Sequence, residues 1–353
     1  MTTAVRSQKA LEQIRFDIGR MGTIVSSQLE QALTAFATLD LALANEAIDK
    51  DDLVDNLNLR VEEEAYKIIS RGKWGDSETL AARTAIKVAI NLERIGDAAT
   101  HISKRLRIML GEGVEPRPYD LGPSIKVALQ SVEDGVWGYL HEDLDVAKRA
   151  CEIEPELDRF YVEGINYVHA IIQKEPEHIS FYLNLLSVLK YVEKVGDYVL
   201  NIGEQAIYAI TGRHLKFAQF QQLDSLLNHS LEETGFKTYL DGISGAVVAL
   251  VGRDDPVVFK EGAQRKIEEE VEQSSAWHNI DGEITPRVLT TVSYADRQAF
   301  LREYVDGLQL SHLYFVEGDP DLQKKATEQL FTTLRRVWML TLRLEAPVTN
   351  YAK

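Results

Sequence analysis

The chain has 353 residues, 45% of them hydrophobic and 27% charged, the profile of a folded chain with room for two or three domains. Its net charge of −16 opposes general nucleic-acid binding and favours cations or a basic partner surface. One cysteine, Cys151, excludes a disulfide framework, and the longest apolar run, Ala246 to Val251, is too short to span a bilayer, so the expected location is cytoplasmic.

From about residue 5 to 211 apolar residues recur every three or four positions, as in Leu29, Leu33, Phe36 and Ala37, or Ile86, Ile90, Leu92 and Ile95, which predicts helices. Breakers divide this stretch. Thr38-Leu-Asp40 supplies a turn with an N-cap, Arg71-Gly-Lys-Trp-Gly-Asp76 a second turn, and Gly111 to Pro118 a longer linker. His141-Glu-Asp143 opens the next helix, Gln173-Lys-Glu-Pro176 turns the chain again, and Thr211-Gly212 closes the last of six helices. The prediction is a mainly α protein with one three-helix bundle over 1–111 and another over 119–213.

The two bundles read as a duplication. Leu92-Glu-Arg-Ile-Gly-Asp97 returns as Val192-Glu-Lys-Val-Gly-Asp197, an offset of 100. Earlier in each repeat the offset is 103, pairing Asp40 with Asp143, Ala44 with Ala147, and Asp51 and Asp55 with Glu154 and Asp158. The three-residue difference falls in a helix–helix turn, where a change of length is tolerated best.

Each repeat holds two acidic pairs at i, i+4: Asp51/Asp55 with Glu93/Asp97, and Glu154/Asp158 with Glu193/Asp197. That spacing puts both carboxylates of a pair on one helix face. In an antiparallel hairpin, residues equidistant from the turn lie level. Asp55 with Glu93, and Asp51 with Asp97, are centred on Trp74; the second set is centred between Glu175 and Pro176. Four level carboxylates need protons or divalent cations, unless they face solvent and attract only diffuse counter-ions. Gly96 and Gly196, mid-helix between the acids, fit either close helix packing or room for bound ions. Pro155 predicts a kink or restart of the fifth helix beside Glu154.

The two segments around Glu93 and Glu193 resemble the signature of the PhoU family of phosphate-uptake regulators, and the resemblance covers about residues 5–212. It implies tandem three-helix bundles whose acidic motifs bind divalent metal (iron, zinc, manganese or magnesium), with Asp51, Asp55, Glu93, Asp97, Glu154, Asp158, Glu193 and Asp197 as ligands. It also implies regulation of phosphate transport and starvation signalling through transporter components or a sensor kinase at the membrane, without an enzymatic reaction. His101 and Lys104 follow the first signature where Asn201 and Glu204 follow the second, and Lys104 weakens the charge balance of the first site.

From about residue 222 to 353 the texture changes to a smaller α+β domain. Gly245–Val251, Pro256–Phe259, Arg287–Val292 and Ala299–Tyr304 read as strands, Glu261–Ser274 and Leu322–Leu344 as helices. Val257-Val-Phe-Lys-Glu261, the Glu-rich helix and Phe300-Leu-Arg-Glu-Tyr-Val-Asp-Gly307 resemble the N-lobe and hinge of aminoglycoside- or choline-kinase-like phosphotransferases. That resemblance implies a nucleotide site at Lys260 with Glu269, Glu270 or Glu272 as its partner, Glu270 being the residue assigned. The His-x-Asp loop that catalysis needs does not follow.

The expected function is a metal-binding adaptor that docks onto transporter or kinase components, with self-association as a further partner mode. The alternative is a nucleotide-sensing regulator. A metal-dependent enzyme ranks below both, because no nucleophile or base accompanies the carboxylates. Glu175-Pro-Glu-His178 falls in a turn and is not a di-iron motif, and Cys151 aligns with Ile48 as a core residue.

Overall fold

The computed structural model describes residues 3–70, 76–115, 117, 119–227, 236–239, 246–252, 255–307 and 310–342. Its contacts divide the chain into two units, Met1–Phe217 and Ala218–Lys353.

In the first unit each bundle has three helical legs, and the middle leg is in two pieces. The first bundle runs α1 (Thr3–Thr38), α2 (Leu41–Asp49), α3 (Asp51–Ser70) and α4 (Asp76–Gly111). The second runs α5 (Gly122–His141), α6 (Leu144–Glu152), α7 (Glu154–Ile172) and α8 (Ile179–Thr211). The interruptions fall at Lys50 and Ile153, equivalent residues of the two repeats. Only the second has a proline beside it, so Pro155 does not cause the break. It sits in the first turn of α7, where a missing N–H costs no hydrogen bond. In the first repeat the Lys50 ammonium donates to Ser27 Oγ at 2.7 Å and Gln31 Oε1 at 2.6 Å, which ties the break to α1.

The turns form as the sequence predicts. Leu39 takes φ +61° and the Asp40 carboxylate then accepts from the N–H groups of Ala42 and Leu43; Glu142 at φ +54° and Asp143 repeat the device. Gly212, at φ +67°, donates its N–H to Tyr208 O and ends α8. Of the Arg71–Asp76 turn, residues 71–75, Trp74 among them, lie outside the described residues.

Apolar stripes at helical spacing make the core. Ile14, Ile18, Met21, Val25, Leu29 and Leu33 are buried on α1, and Val88, Leu92, Ile95, Ile102 and Leu106 on α4. α8 matches them with Val188, Val192, Val195, Val199 and Ile202, and α4 packs directly on α8, which joins the bundles. Cys151 is buried against Gly203, with its thiol pushed up by burial, so it is the core residue the sequence suggests.

Gly138 is held to glycine by backbone rather than by side chains. A Cβ there would lie 2.8 Å from Ala147 N and 3.0 Å from Ala147 Cα of α6. Gly138→Ala is expected to lower stability by about 1–2 kcal/mol, because the overpacking cost exceeds the gain in helix propensity. A lower urea midpoint at unchanged slope would register it.

α9 (Phe217–Leu226) begins at the last residue of the first unit and continues in the second, which forms a five-stranded antiparallel sheet of order β1-β2-β3-β5-β4. The strands are β1 (Phe236–Tyr239), β2 (Val247–Val251), β3 (Val257–Ala263), β4 (Val288–Tyr294) and β5 (Arg297–Glu303). β3 pairs with β5 from Val257↔Glu303 to Ala263↔Arg297. α10 (Gln264–Ile280) crosses from β3 to β4 and packs on β3 and β5. The helix predicted from Glu261 therefore starts later, because Glu261 to Ala263 complete β3. Glu261 is fully buried there, held by both Nε and Nη2 of Arg297 and by Gln219 Nε2 at 2.8 Å. The sequence reading missed α9 and the four-residue β1. A short helix, α11 (Leu310–His312), precedes α12 (Pro320–Thr341), the predicted long helix, which Asp319 caps.

Candidate functional site

The acids sit where the interrupted leg meets the last leg of each bundle. Asp51 opens α3 and Asp55 follows one turn on, both facing Glu93 and Asp97 of α4. Burial, then the charges of Asp51, Asp97 and Asp52, raise the Asp55 carboxyl above its ordinary value. Burial also raises Glu93, with Asp97, Asp55 and Asp51 adding to it against the opposing pull of Arg94. Burial and Asp51 raise Asp97, while His101 and Lys104 oppose. The four carboxylates thus share one field, as the turn-centred register requires, and Lys104 acts on it as the sequence suggests.

Among the described residues, none of these four carboxylates has an ion-pair partner. Arg94, the basic residue between them, points its guanidinium at the Tyr198 ring of α8, 5.9 Å from the centroid. Among the described residues one side-chain hydrogen bond enters the face, from beneath: Thr100 Oγ1 donates to Asp51 Oδ1 at 2.9 Å, and Gln28 Nε2 donates to Thr100 Oγ1 at 3.0 Å. Gly96 leaves space for this relay, since a Cβ there would stand 3.0 Å from Gln28 Oε1. Close packing accounts for Gly96 without an ion.

The second face has the same layout and a different balance. Glu154 opens α7 beside Asp158, and both face Glu193 and Asp197 of α8. Burial raises the Glu154 and Asp158 carboxyls, with their acidic neighbours adding to it, and Lys194 lowers both. Glu154 therefore belongs to the face despite Pro155. Lys194 contacts Asp197 and stands 3.5 Å from Glu193, while Lys190 Nζ is 2.7 Å from Glu193 Oε2. A Cβ on Gly196 would stand 3.1 Å from Leu157 Cδ1, so close packing on α7 holds this position to glycine as well. Lys190 has no place in the sequence reading and Lys194 enters it only as the mild counterpart of Arg94, although each lies three residues before an acid of the face, the spacing at which helical ion pairs form.

No three acidic, imidazole or thiol groups among the described residues converge into a ready ligand cage as the side chains stand. The first face concentrates four carboxylates that have no ion-pair partner among the described residues. Hard oxygen donors of this kind take magnesium or manganese readily and iron or zinc as borderline ions. Glu204, which the sequence placed after the second signature, belongs to neither face. Its buried carboxylate accepts from Phe217 N–H at 2.9 Å and from Lys216 Nζ at 2.9 Å.

In the second unit Lys260, in the middle of β3, meets α10 through both carboxylate oxygens of Glu270, at 2.8 and 2.6 Å. Of the three glutamates the sequence offered, the structure pairs Glu270 with Lys260, and Glu269 pairs with Arg265 instead.

Two duplicated three-helix bundles, each with an acidic hairpin face, define the first unit as a tandem helical-bundle module. The PhoU domain matches it twice, at residues 18–106 and 125–206. The chain belongs to the PhoU family. The phosphate-specific transport system accessory protein PhoU homolog of Pseudomonas putida is 28% identical over 210 residues, covering 58% of this chain and 81% of that protein. The accessory protein PhoU of Escherichia coli is 26% identical over 217 residues, covering 62% and 90%. The crystal structure of PhoU from Pseudomonas aeruginosa superposes with a TM-score of 0.56 at 27% identity, over 58% of this chain and 99% of that one. These relatives are named as accessory proteins, not enzymes, which agrees with the non-enzymatic reading of the sequence. Among the described residues no helix is long and apolar enough to cross a membrane.

Proposed function

We propose that this protein is an accessory regulator of phosphate uptake and phosphate-starvation signalling, acting by contact with transporter components or a sensor kinase on the cytoplasmic side of the membrane. The observation that carries the reading is the pair of PhoU domains, each with a level acidic face across a helix hairpin. Bound to Asp51, Asp55, Glu93 and Asp97, a divalent cation screens their repulsion and changes the charge that the face offers to a partner. Thr100 and Gln28 fix the Asp51 end of the face from inside the bundle, so the remaining three carboxylates do the adjusting. The test is phosphate uptake in cells whose own copy is replaced by the Asp97→Asn/Asp197→Asn double variant, with metal analysis of the purified wild type. Deregulated uptake and bound divalent metal are expected; normal uptake with a metal-free wild type would end the proposal.

The Lys260–Glu270 pair favours a second reading for the C-terminal unit. A lysine on the third strand of an antiparallel sheet, clamped by a glutamate from the following helix, is the arrangement that holds nucleotide phosphates in protein kinases. On this reading the unit senses a nucleotide. ATP with magnesium should raise the unfolding temperature of the wild type and leave Lys260→Ala unmoved. The same trace with and without nucleotide in both proteins would dismiss it.

A further inference from the structure

The two acidic faces are copies in sequence and differ in what neutralises them. At the second face Lys194 lies against Asp197 with Glu193 on its other side, and Lys190 approaches Glu193 to 2.7 Å. Lys190 is also held from across the hairpin: its ammonium stands 4.8 Å from the centroid of the Tyr161 ring on α7, one turn beyond Asp158. It therefore bridges α7 and α8 at the Asp158 end of the face, while Lys194 occupies the Asp197 end. Glu193, between them, is only 11% exposed, so both its ammonium neighbours press on a carboxylate with little water to replace them.

The first repeat has no equivalent. Ile90 stands at the position of Lys190 and Asn58 at that of Tyr161. Arg94, at the position of Lys194, turns away to Tyr198. One face thus presents four carboxylates without an ion pair among the described residues, and in the other two ammonium groups lie on Glu193 and Asp197 of the four.

We propose that Lys190 and Lys194 serve the second face as tethered cations and close it to divalent metal, so that the two repeats are a cation-binding face and a cation-independent one. The proposal extends the metal reading of the first face. An ammonium on the same carboxylate oxygens excludes a metal ion sterically and lowers the charge that would attract one. Under this division the first face reports cation availability, and the second keeps a constant charge for docking.

Equilibrium dialysis of the full-length protein against manganese, with bound metal counted per chain, tests this with four proteins. Wild type should bind manganese, and Asp55→Asn/Asp97→Asn should lose essentially all of it. Asp158→Asn/Asp197→Asn should retain the wild-type amount. Lys190→Met/Lys194→Met should bind about twice as much, and the excess should disappear when Asp158→Asn/Asp197→Asn is added. Substantial manganese remaining in the first-face variant overturns the proposal, as does an unchanged count in the lysine variant. If the wild type binds none, the reading of the first face fails by itself. The lysine variant still decides the inference: new binding that depends on Asp158 and Asp197 supports it, and none refutes it. Both lysines are partly exposed on a helix and methionine is a good helix former, so helical circular dichroism should match the wild type.

Discussion

Arg297→Met is expected to unfold the C-terminal sheet while the helical bundles stay intact. Glu261 is fully buried in β3, and its carboxylate is held by two nitrogens of Arg297 on the neighbouring strand and by Gln219 of α9. Removing the arginine leaves a buried charge with one neutral donor, which costs roughly 3–5 kcal/mol. That is a large part of what a unit of this size has to lose. Hydrogen exchange read by mass spectrometry on the full chain separates the outcomes. Peptides over 257–263 and 297–303 should lose protection, and those over α4 and α8 should keep it. Replacing Glu261 by leucine in the same chain should restore much of the protection, because the pair removed together leaves no orphan charge. Unchanged exchange in the single variant would mean that the pair contributes nothing to the sheet.

Much of this architecture is legible in the sequence, and the reasons are local. The bundles announce themselves because their helices are amphipathic over several turns and bounded by strong breakers. Asp40 and Asp143 cap as their positions suggest, and Gly212 ends α8 with the left-handed turn that glycine tolerates. The duplication exposes the acidic faces, because equivalent acids are centred on equivalent turns. The divided middle leg stays hidden, since Lys50 and Ile153 both keep helical dihedrals and nothing in their chemistry marks a break. Pro155 lies beside the second break without causing it, since the first repeat breaks at the equivalent residue with no proline near.

The C-terminal unit is legible in its pairing of Lys260 with a glutamate and less so in its boundaries. Glu261 looks like the start of a charged helix, and only the Arg297 carboxylate clamp explains how it remains in a strand. β1 is too short to show a period, and α9 is a brief helix next to a stretch without clear patterning. Lys190 and Lys194 are less legible: Lys190 lies outside the repeated signature, and Lys194 reads there only as a mild exchange for Arg94. A face is defined by its total charge, and the cations that complete it lie on the same helix at ordinary spacing.

The charge of the first face also governs how stability responds to pH and metal. Asp55, Glu93 and Asp97 all have carboxyls raised above their ordinary values of 3.8, 4.5 and 3.8, chiefly by burial and then by neighbouring carboxylates, Asp51 among them in each case. The folded state therefore holds these protons more tightly than the unfolded chain does. Their contribution is present below the unfolded values and is lost as pH rises through the folded ones. At neutral pH without metal the face works against folding. Asp55→Asn/Asp97→Asn should then be more stable than the wild type in chelator, and the difference should shrink on acidification toward about pH 4. Manganese reverses the order. At a hundredfold excess over its dissociation constant a cation bound only to the folded wild type contributes about 2.7 kcal/mol. For a unit of about two hundred residues that moves the unfolding midpoint by roughly 5–10 °C. The variant, with half of its carboxylates neutral, should gain little. Thermal unfolding of both proteins at several pH values, with chelator and with manganese, gives the complete comparison. A wild type that is already the more stable in chelator at neutral pH, or equal gains from manganese in both proteins, would show that the four carboxylates do not act as one charged face.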